Sequence, residues 1–178
     1  MKCQVVVAAA AAPSLSVRVM ELPPPVRLAQ DLAPTLRGLD WGIGGSSLLW
    51  SLGIAEAPRD LDLVTTAAHF PEMHRLISLK LGEGASVSHP AYRSRCFARF
   101  APIGAVSVDL FAEVGVETSD GILEWSFEPT TVELRDGLPW MRAEDWVQLY
   151  KLFGRPIQVN ALTNYLASCG SLERTRGE

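Results

Sequence analysis

Two aspartates one residue apart, Asp60 and Asp62, begin 14 residues after a Gly44-Gly45-Ser46 turn, and a third, Asp109, stands in Val108-Asp109-Leu110. Carboxylates on neighbouring strands beside a glycine-serine turn are the groups needed to hold a divalent cation over a nucleoside triphosphate. Successive side chains of a strand alternate between faces, so Asp60 and Asp62 share one face while Leu61 and Leu63 take the other. Their backbones start about 6.6 Å apart, and the carboxylates can converge on one ion or on a pair about 4 Å apart. Like charges so close resist ionisation, and a cation relieves them. Magnesium or manganese suits the set, being hard and held by one or two carboxylates plus substrate phosphates. Gly44 and Gly45 would let the backbone approach a phosphate, the following helix presents free amide hydrogens, and the Ser46 hydroxyl adds a donor. Asp109 lies in an equally apolar strand, where Ser107, Asp109 and Phe111 share a face; it is either solvated or aimed at the same cation, and the pair at 60 and 62 favours the second.

The elements that must position these residues can be traced along the chain. Val26, Leu28, Leu32 and Leu36 recur near helical spacing and predict a helix over Val26 to Arg37, followed by a short strand from Leu39 to Ile43. A buried helix is expected from Ser46 to Leu52, a strand from Asp60 to Thr65, and a helix from Pro71 to Leu81 that stops at Gly82. The period then changes to two: Ser94 to Phe100, Ala105 to Phe111, Val114 to Thr118 and Leu123 to Phe127 predict successive strands, with turns at Pro102-Ile103-Gly104 and Ser119-Asp120-Gly121. Thr131 to Leu134 and Leu138 to Met141 flank an Asp136-Gly137 hairpin turn. Ala143-Glu144-Asp145 opens an acidic-capped helix with Trp146, Leu149, Tyr150 and Phe153 on one side. A last helix is expected from Pro156 to about Cys169, with a polar frayed tail from Leu172.

At 178 residues, 48% of them hydrophobic, the chain can bury a real core, and one domain over 21–178 is expected. A net charge of -4 argues against a protein that tracks a nucleic-acid backbone, so the expected acceptor is a small molecule or a protein side chain. Cys3, Cys96 and Cys169 are far apart and form no C-x-x-C pair, which signals neither a disulfide framework nor a zinc site and points to a reducing cytoplasm. No apolar run approaches the ~18 residues needed to span a bilayer. Residues 1–20 carry one lysine and then Val5 to Ala12; they resemble either a weak secretory signal or a disordered alanine-rich extension before a start at Met20, and stand apart from the fold.

Gly44-Gly45-Ser46, Asp60-Leu61-Asp62 and Val108-Asp109-Leu110 together resemble the hG[GS]…Dh[DE]h…hD signature of the DNA polymerase beta-type nucleotidyltransferase superfamily. The stretch from Leu134 to Met141, Glu144-Asp145, Lys151 and Arg155 is similar to small antibiotic nucleotidyltransferases and abortive-infection toxin relatives, which end in a hairpin, a lysine-bearing helix and a nearby arginine. This likeness spans Gly38 to Leu166, and its first three motifs are the specific ones. It implies an α/β (α+β) nucleotidyltransferase fold: a mixed β-sheet with helices on one side and a C-terminal helical pair. It also implies that Asp60, Asp62 and Asp109 hold the metal, with Asp109 helping to take the proton of an acceptor hydroxyl. Gly44, Gly45 and Ser46 would grip the phosphates of ATP or another nucleoside triphosphate, and Lys151 and Arg155 would neutralise phosphate charge. The implied reaction is in-line attack on the α-phosphate with pyrophosphate leaving. Relatives often carry an acid soon after the arginine, where this chain has Arg155-Pro156-Ile157-Gln158.

Other signals point to blander roles. Gly42-Ile43-Gly44 invites a dinucleotide-binding reading, but Ser47 holds the third glycine position and the later strands are antiparallel. A P-loop is excluded by the lack of Gly-Lys-Ser/Thr. Arg93, Arg95 and Arg99 share a face of an extended segment with Tyr92 and Phe97 among them, suited to an anionic acceptor or the triphosphate tail or, more simply, to a charged edge strand. His69, His74 and His89 lack metal-ligand spacing. Of the five tryptophans, most serve the core, and Trp125 and Trp140 are the two expected near an acceptor. The functional alternative is a nucleotidyltransferase-fold binding module of the toxin-antitoxin type, without turnover, which leaves a protein partner or a homodimer open; a further one binds nucleotide without transfer.

Overall fold

A computed structural model describes residues 21–55, 57–85 and 93–175, with side chains through Cys169. Residues 1–20, His89 and Tyr92, which carry some of the expectations above, lie outside the described residues.

Helix α1 (Pro24–Leu32) opens on prolines, tolerated in a first turn whose N–H groups have no intrahelical partner, and buries Val26, Ala29 and Leu32 on one side. It stops short of the expected Arg37 because Pro34 has no N–H to continue the ladder after the Ala33 N–H bonds to the Ala29 carbonyl; Leu36 still reaches the core from the turn that follows. Then come β1 (Trp41–Ile43), α2 (Gly45–Ser51), β2 (Leu61–Thr65), α3 (Phe70–Leu81), β3 (Cys96–Phe100) and β4 (Val108–Ala112). Glu113, with a left-handed φ of 49°, separates β4 from a hairpin outside the main sheet, β5 (Val114–Thr118) and β6 (Gly121–Trp125). A short 3-10 turn at Pro129–Thr131, where the Glu128 carboxylate accepts from the Thr130 N–H, takes the place of the expected start of a strand at Thr131. The strands β7 (Glu133–Arg135) and β8 (Leu138–Trp140) follow, joined by Asp136 and Gly137 at φ 51° and 76°, the two consecutive left-handed residues that a tight hairpin demands. Helices α4 (Ala143–Leu152) and α5 (Pro156–Thr175) close the chain, α5 running on through the segment expected to fray.

Six strands form a mixed sheet in the order β3-β4-β2-β1-β8-β7. β2 pairs parallel with β4 and antiparallel with β1, and β3 pairs antiparallel with β4. Register assigns the faces. Ile43, Leu63, Leu110 and Ala98 share one face, which α3 covers with His74 packed on Phe100 at 5.3 Å between ring centroids. Arg99, Asp109 and Asp62 share the other, and there Phe111 meets the edge of Trp146 from α4 at 6.4 Å. The expected layering holds, with the C-terminal pair as the cover on the carboxylate face.

Leu63 is fully buried at the middle of β2, one residue beyond Asp62. Leu63→Ala is expected to cost about 2–5 kcal/mol through lost burial and a residual cavity, read as a lower thermal midpoint. Among the described residues, no helix is long and apolar enough to cross a membrane. Cys96 and Cys169 are free thiols.

Candidate active site

The parallel pairing of β2 with β4 sets Asp62 directly opposite Asp109 in register, one strand spacing of about 4.8 Å away. Asp60 sits one residue before β2 and joins them through the glycine-serine turn: the Ser46 hydroxyl donates to Asp60 Oδ1 at 3.0 Å, and Ser47 Oγ donates to the Asp60 carbonyl at 3.3 Å. The Gly44 N–H donates to the Asp62 carbonyl at 3.0 Å. Three stretches separated by up to 65 residues, Gly44-Gly45-Ser46, Asp60-Leu61-Asp62 and Asp109, therefore come together on one face.

The two glycines have different tasks. A Cβ on Gly45 would lie 1.7 Å from Asp62 Oδ2, and its φ of 58° is left-handed. A Cβ on Gly44 would lie 2.0 Å from three atoms of the Trp146 ring. One glycine admits the carboxylate and the other admits the tryptophan that closes this face.

Charge is crowded here. Asp62 is pushed up to about 8, first by burial and then by repulsion from Asp60 and Asp109, with Arg155 and Arg99 opposing. Burial, and then Asp62, also hold the Tyr150 hydroxyl well above the usual phenol value, with Arg155 working against them. Arg155 is exposed in the turn between α4 and α5, its backbone N–H donating to the Tyr150 carbonyl at 2.9 Å. Lys151 is exposed in the last turn of α4 and is not one of the charges acting on Asp62. The two cations that sequence placed together are thus unequal. Arg155→Ala is expected to weaken activity by about tenfold or more, and Lys151→Ala by less, since loss of a nearby opposite charge is worth on the order of a pKa unit; steady-state rates on both variants check the ranking.

Asp109 is buried, and both of its oxygens are already taken. Arg99 Nε donates to Oδ1 at 2.6 Å and Nη2 to Oδ2 at 2.5 Å, a two-point pair across the β3–β4 ladder. Among the described residues, no three His, Cys, Asp or Glu side chains are arranged to hold a metal ion. The backbone thus brings the third acid beside the other two, as expected, while its carboxylate is turned to Arg99. Asp60 and Asp62 fit a hard cation: both offer oxygen donors, they repel each other, and the high Asp62 value is what a nearby cation would lower.

Arg99 is the residue that sequence reasoning placed too blandly, on a charged edge with Arg93 and Arg95. Those two do face outward acids, Arg93 pairing with Glu117 and Arg95 reaching Glu113 at 3.9 Å. The distinguishing signal was present in the numbering. Arg99 and Asp109 are each five residues from Gly104, so a hairpin centred there must set them opposite each other. In the sequence Trp146 and Tyr150 form only one apolar side of a helix. Trp140 belongs elsewhere: it shares the face of Ile43, opposite that of Asp62, and with Trp50, Ile54 and Arg135 lines a cavity of about 610 Å³. Trp125 lies on β6, outside the main sheet. His69 Nδ1 accepts from the Asp40 N–H at 2.9 Å, a structural role.

No protein-family model matches the sequence, and no curated protein matches it significantly. Solved structures do match. A Thermotoga maritima protein provisionally assigned as a nucleotidyltransferase superposes over 84% of this chain and 98% of its own, with a TM-score of 0.59 at 18% identity. The chain has the nucleotidyltransferase fold. The lincosamide antibiotic adenylyltransferase LnuA, solved with lincomycin bound, matches over 79% of this chain and 96% of its own, with a TM-score of 0.52 at 10% identity. The antibiotic-resistance factor ANT(2'')-Ia matches over 83% of each chain, with a TM-score of 0.53 at 13% identity. The likeness is one of fold, and the chemistry must be argued from the residues of this chain.

Proposed function

We propose that this chain is a metal-dependent nucleotidyltransferase, moving a nucleoside monophosphate from ATP or another nucleoside triphosphate onto a hydroxyl of a small molecule or protein side chain and releasing pyrophosphate. The observation that carries the reading is the registered pair Asp62 and Asp109, with Asp60 tied to Ser46 in the turn where Gly45 abuts Asp62. Three acids crowded on a covered sheet face are costly to fold without a cationic ligand, and a site with no turnover has no use for that cost.

Asp60 and Asp62 would hold the cation, magnesium or manganese, which when bound supplies charge stabilisation to the triphosphate. Gly44, Gly45 and Ser46 form the wall on which the terminal phosphates rest, and Arg155 brings positive charge to the same side. Asp109 is placed to accept the proton of an incoming hydroxyl. Each of its oxygens keeps a second lone pair while bonded to Arg99, so it can accept without leaving that partner. Trp146, Phe111 and Tyr150 exclude water behind the acids, which strengthens every charge interaction in front of them. The acceptor follows from a pocket shape that these acids do not set. Antibiotics are the first class to try, since LnuA was solved with one bound and ANT(2'')-Ia is an antibiotic-resistance factor. A triphosphate-using enzyme belongs in the cytoplasm.

The test is incubation with magnesium and labelled nucleoside triphosphates against cell extract, aminoglycosides and lincosamides, scoring pyrophosphate and labelled product. Activity is expected with at least one acceptor and is expected to vanish in Asp60→Ala and Asp62→Ala. Transfer that survives both substitutions would rule the mechanism out.

A further inference from the structure

The three strands β3, β4 and β2 carry Arg99, Asp109 and Asp62 side by side in register, a single row of cation, acid, acid across the sheet. Arg99 engages both oxygens of Asp109. For Asp109 to join Asp60 and Asp62 around a cation, the ion would have to come up beside a guanidinium already bonded to both Asp109 oxygens, and two positive charges would compete for one carboxylate. The guanidinium already brings to Asp109 the positive charge that a second ion would supply.

We infer that Arg99 is a built-in counter-cation, so that this chain binds one divalent ion through Asp60 and Asp62 and keeps Asp109 out of the ligand set. The inference rests on the nucleotidyltransferase reading and narrows it. Asp109 is a base held in place by Arg99, and Arg99 is a positioning residue that sets both the orientation of that base and the number of ions the site takes.

Manganese titration of the full chain, followed by the electron paramagnetic resonance signal of the free ion, separates the possibilities without reference to activity. Wild type is expected to bind one ion per chain. Asp62→Asn should abolish that binding, whereas Asp109→Asn should weaken it by no more than about tenfold, the scale of one nearby charge, without abolishing it. Arg99→Met should either add a second ion or tighten binding about tenfold, the scale of one lost like charge. The double variant Arg99→Met/Asp109→Asn should lose that gain, because the gain comes from the freed carboxylate. Arg99→Lys keeps the charge but not the two-point grip, and should fall between wild type and Arg99→Met. Arg99 is 44% exposed at its side chain, so these substitutions leave the core intact. If Asp109→Asn weakens manganese binding as much as Asp62→Asn does, or if Arg99→Met changes neither affinity nor stoichiometry, the inference is overturned while the parent reading stands. If wild type binds no manganese, or binds it undiminished in Asp62→Asn, both fall together.

Discussion

Asp62→Asn is expected to separate two properties that usually fail together: nucleotidyl transfer should drop by about 10²- to 10³-fold or more, the scale for removing one preorganised charge-stabilising group, while the metal-free protein melts higher at pH 8. The sign follows from linkage. The Asp62 carboxyl is raised in the folded chain to about 8, against an ordinary value of 3.8. A folded-state value above the unfolded one means that the native protein prefers the protonated acid. Its contribution is fully present below about pH 4, where both states carry the proton. It is then lost progressively as pH rises to about 8. Asparagine carries no charge and suffers no such loss. The gap between variant and wild type in metal-free buffer should be widest at pH 8 and should close towards pH 4. Magnesium should narrow that gap, because an ion that binds only the native wild type raises its stability by about 2.7 kcal/mol at a hundred times its Kd. Thermal melts of both proteins over that pH range, with chelator and with magnesium, decide the matter. A metal-free Asp62→Asn that melts below wild type at pH 8 would refute this account of the site.

Much of this site was legible in the sequence because its parts are short-range signals. The alternation of Asp60 and Asp62 with Leu61 and Leu63 fixes a shared face for the acids in any strand, and Gly44-Gly45-Ser46 announces a turn into a helix. The period-two stretch around Asp109 likewise fixes its face relative to Val108 and Leu110. Sequence could not say that β2 and β4 would be neighbours, because β3 intervenes along the chain and only the parallel pairing of β2 with β4 puts Asp62 beside Asp109. The same blindness applies to Gly44, whose close approach to Trp146 joins residues about a hundred positions apart. Lys151 shows the opposite failure. Its spacing along α4 is compatible with a site role, yet helix rotation leaves it exposed while Tyr150, one residue earlier, turns inward beneath the acids. Arg99 was hidden by its company. Three arginines in a row of alternate positions look like one edge, and only the pairing across Gly104 sorts the one that faces Asp109 from the two that face Glu117 and Glu113.

The adjacent substitutions Gly44→Ala and Gly45→Ala are expected to fail in different ways, although each adds a single methyl group. At Gly44 the new carbon would fall 2.0 Å from Cε2, Cζ2 and Nε1 of Trp146. That ring has nowhere to go: its Nε1 donates to Met141 Sδ at 3.0 Å, and its edges meet Tyr150 at 5.1 Å and Phe111 at 6.4 Å between centroids. Overpacking of a rigid core side chain costs about 1–3 kcal/mol and more where nothing yields, so Gly44→Ala should lower the thermal midpoint sharply and take activity with it. At Gly45 the obstacle is the Asp62 side chain, with Oδ2, Cγ and Cβ at 1.7, 2.6 and 3.0 Å; the carboxylate can rotate away, and a shift of a few tenths of an ångström relieves the Cβ. The left-handed φ of 58° adds roughly 1–2 kcal/mol of backbone strain for any residue with a Cβ. Gly45→Ala should therefore remain folded with a modest loss of stability, and lose transfer because the rotated carboxylate would no longer stand beside Asp60 and Asp109. Combining Gly44→Ala with Trp146→Leu should recover part of the stability lost by Gly44→Ala alone, since the smaller side chain vacates the space the methyl needs, and the recovery measures the contact directly. Equal melting of Gly44→Ala and wild type would mean that Trp146 does not press on the turn, and the link between α4 and the glycine-serine turn would have to be abandoned.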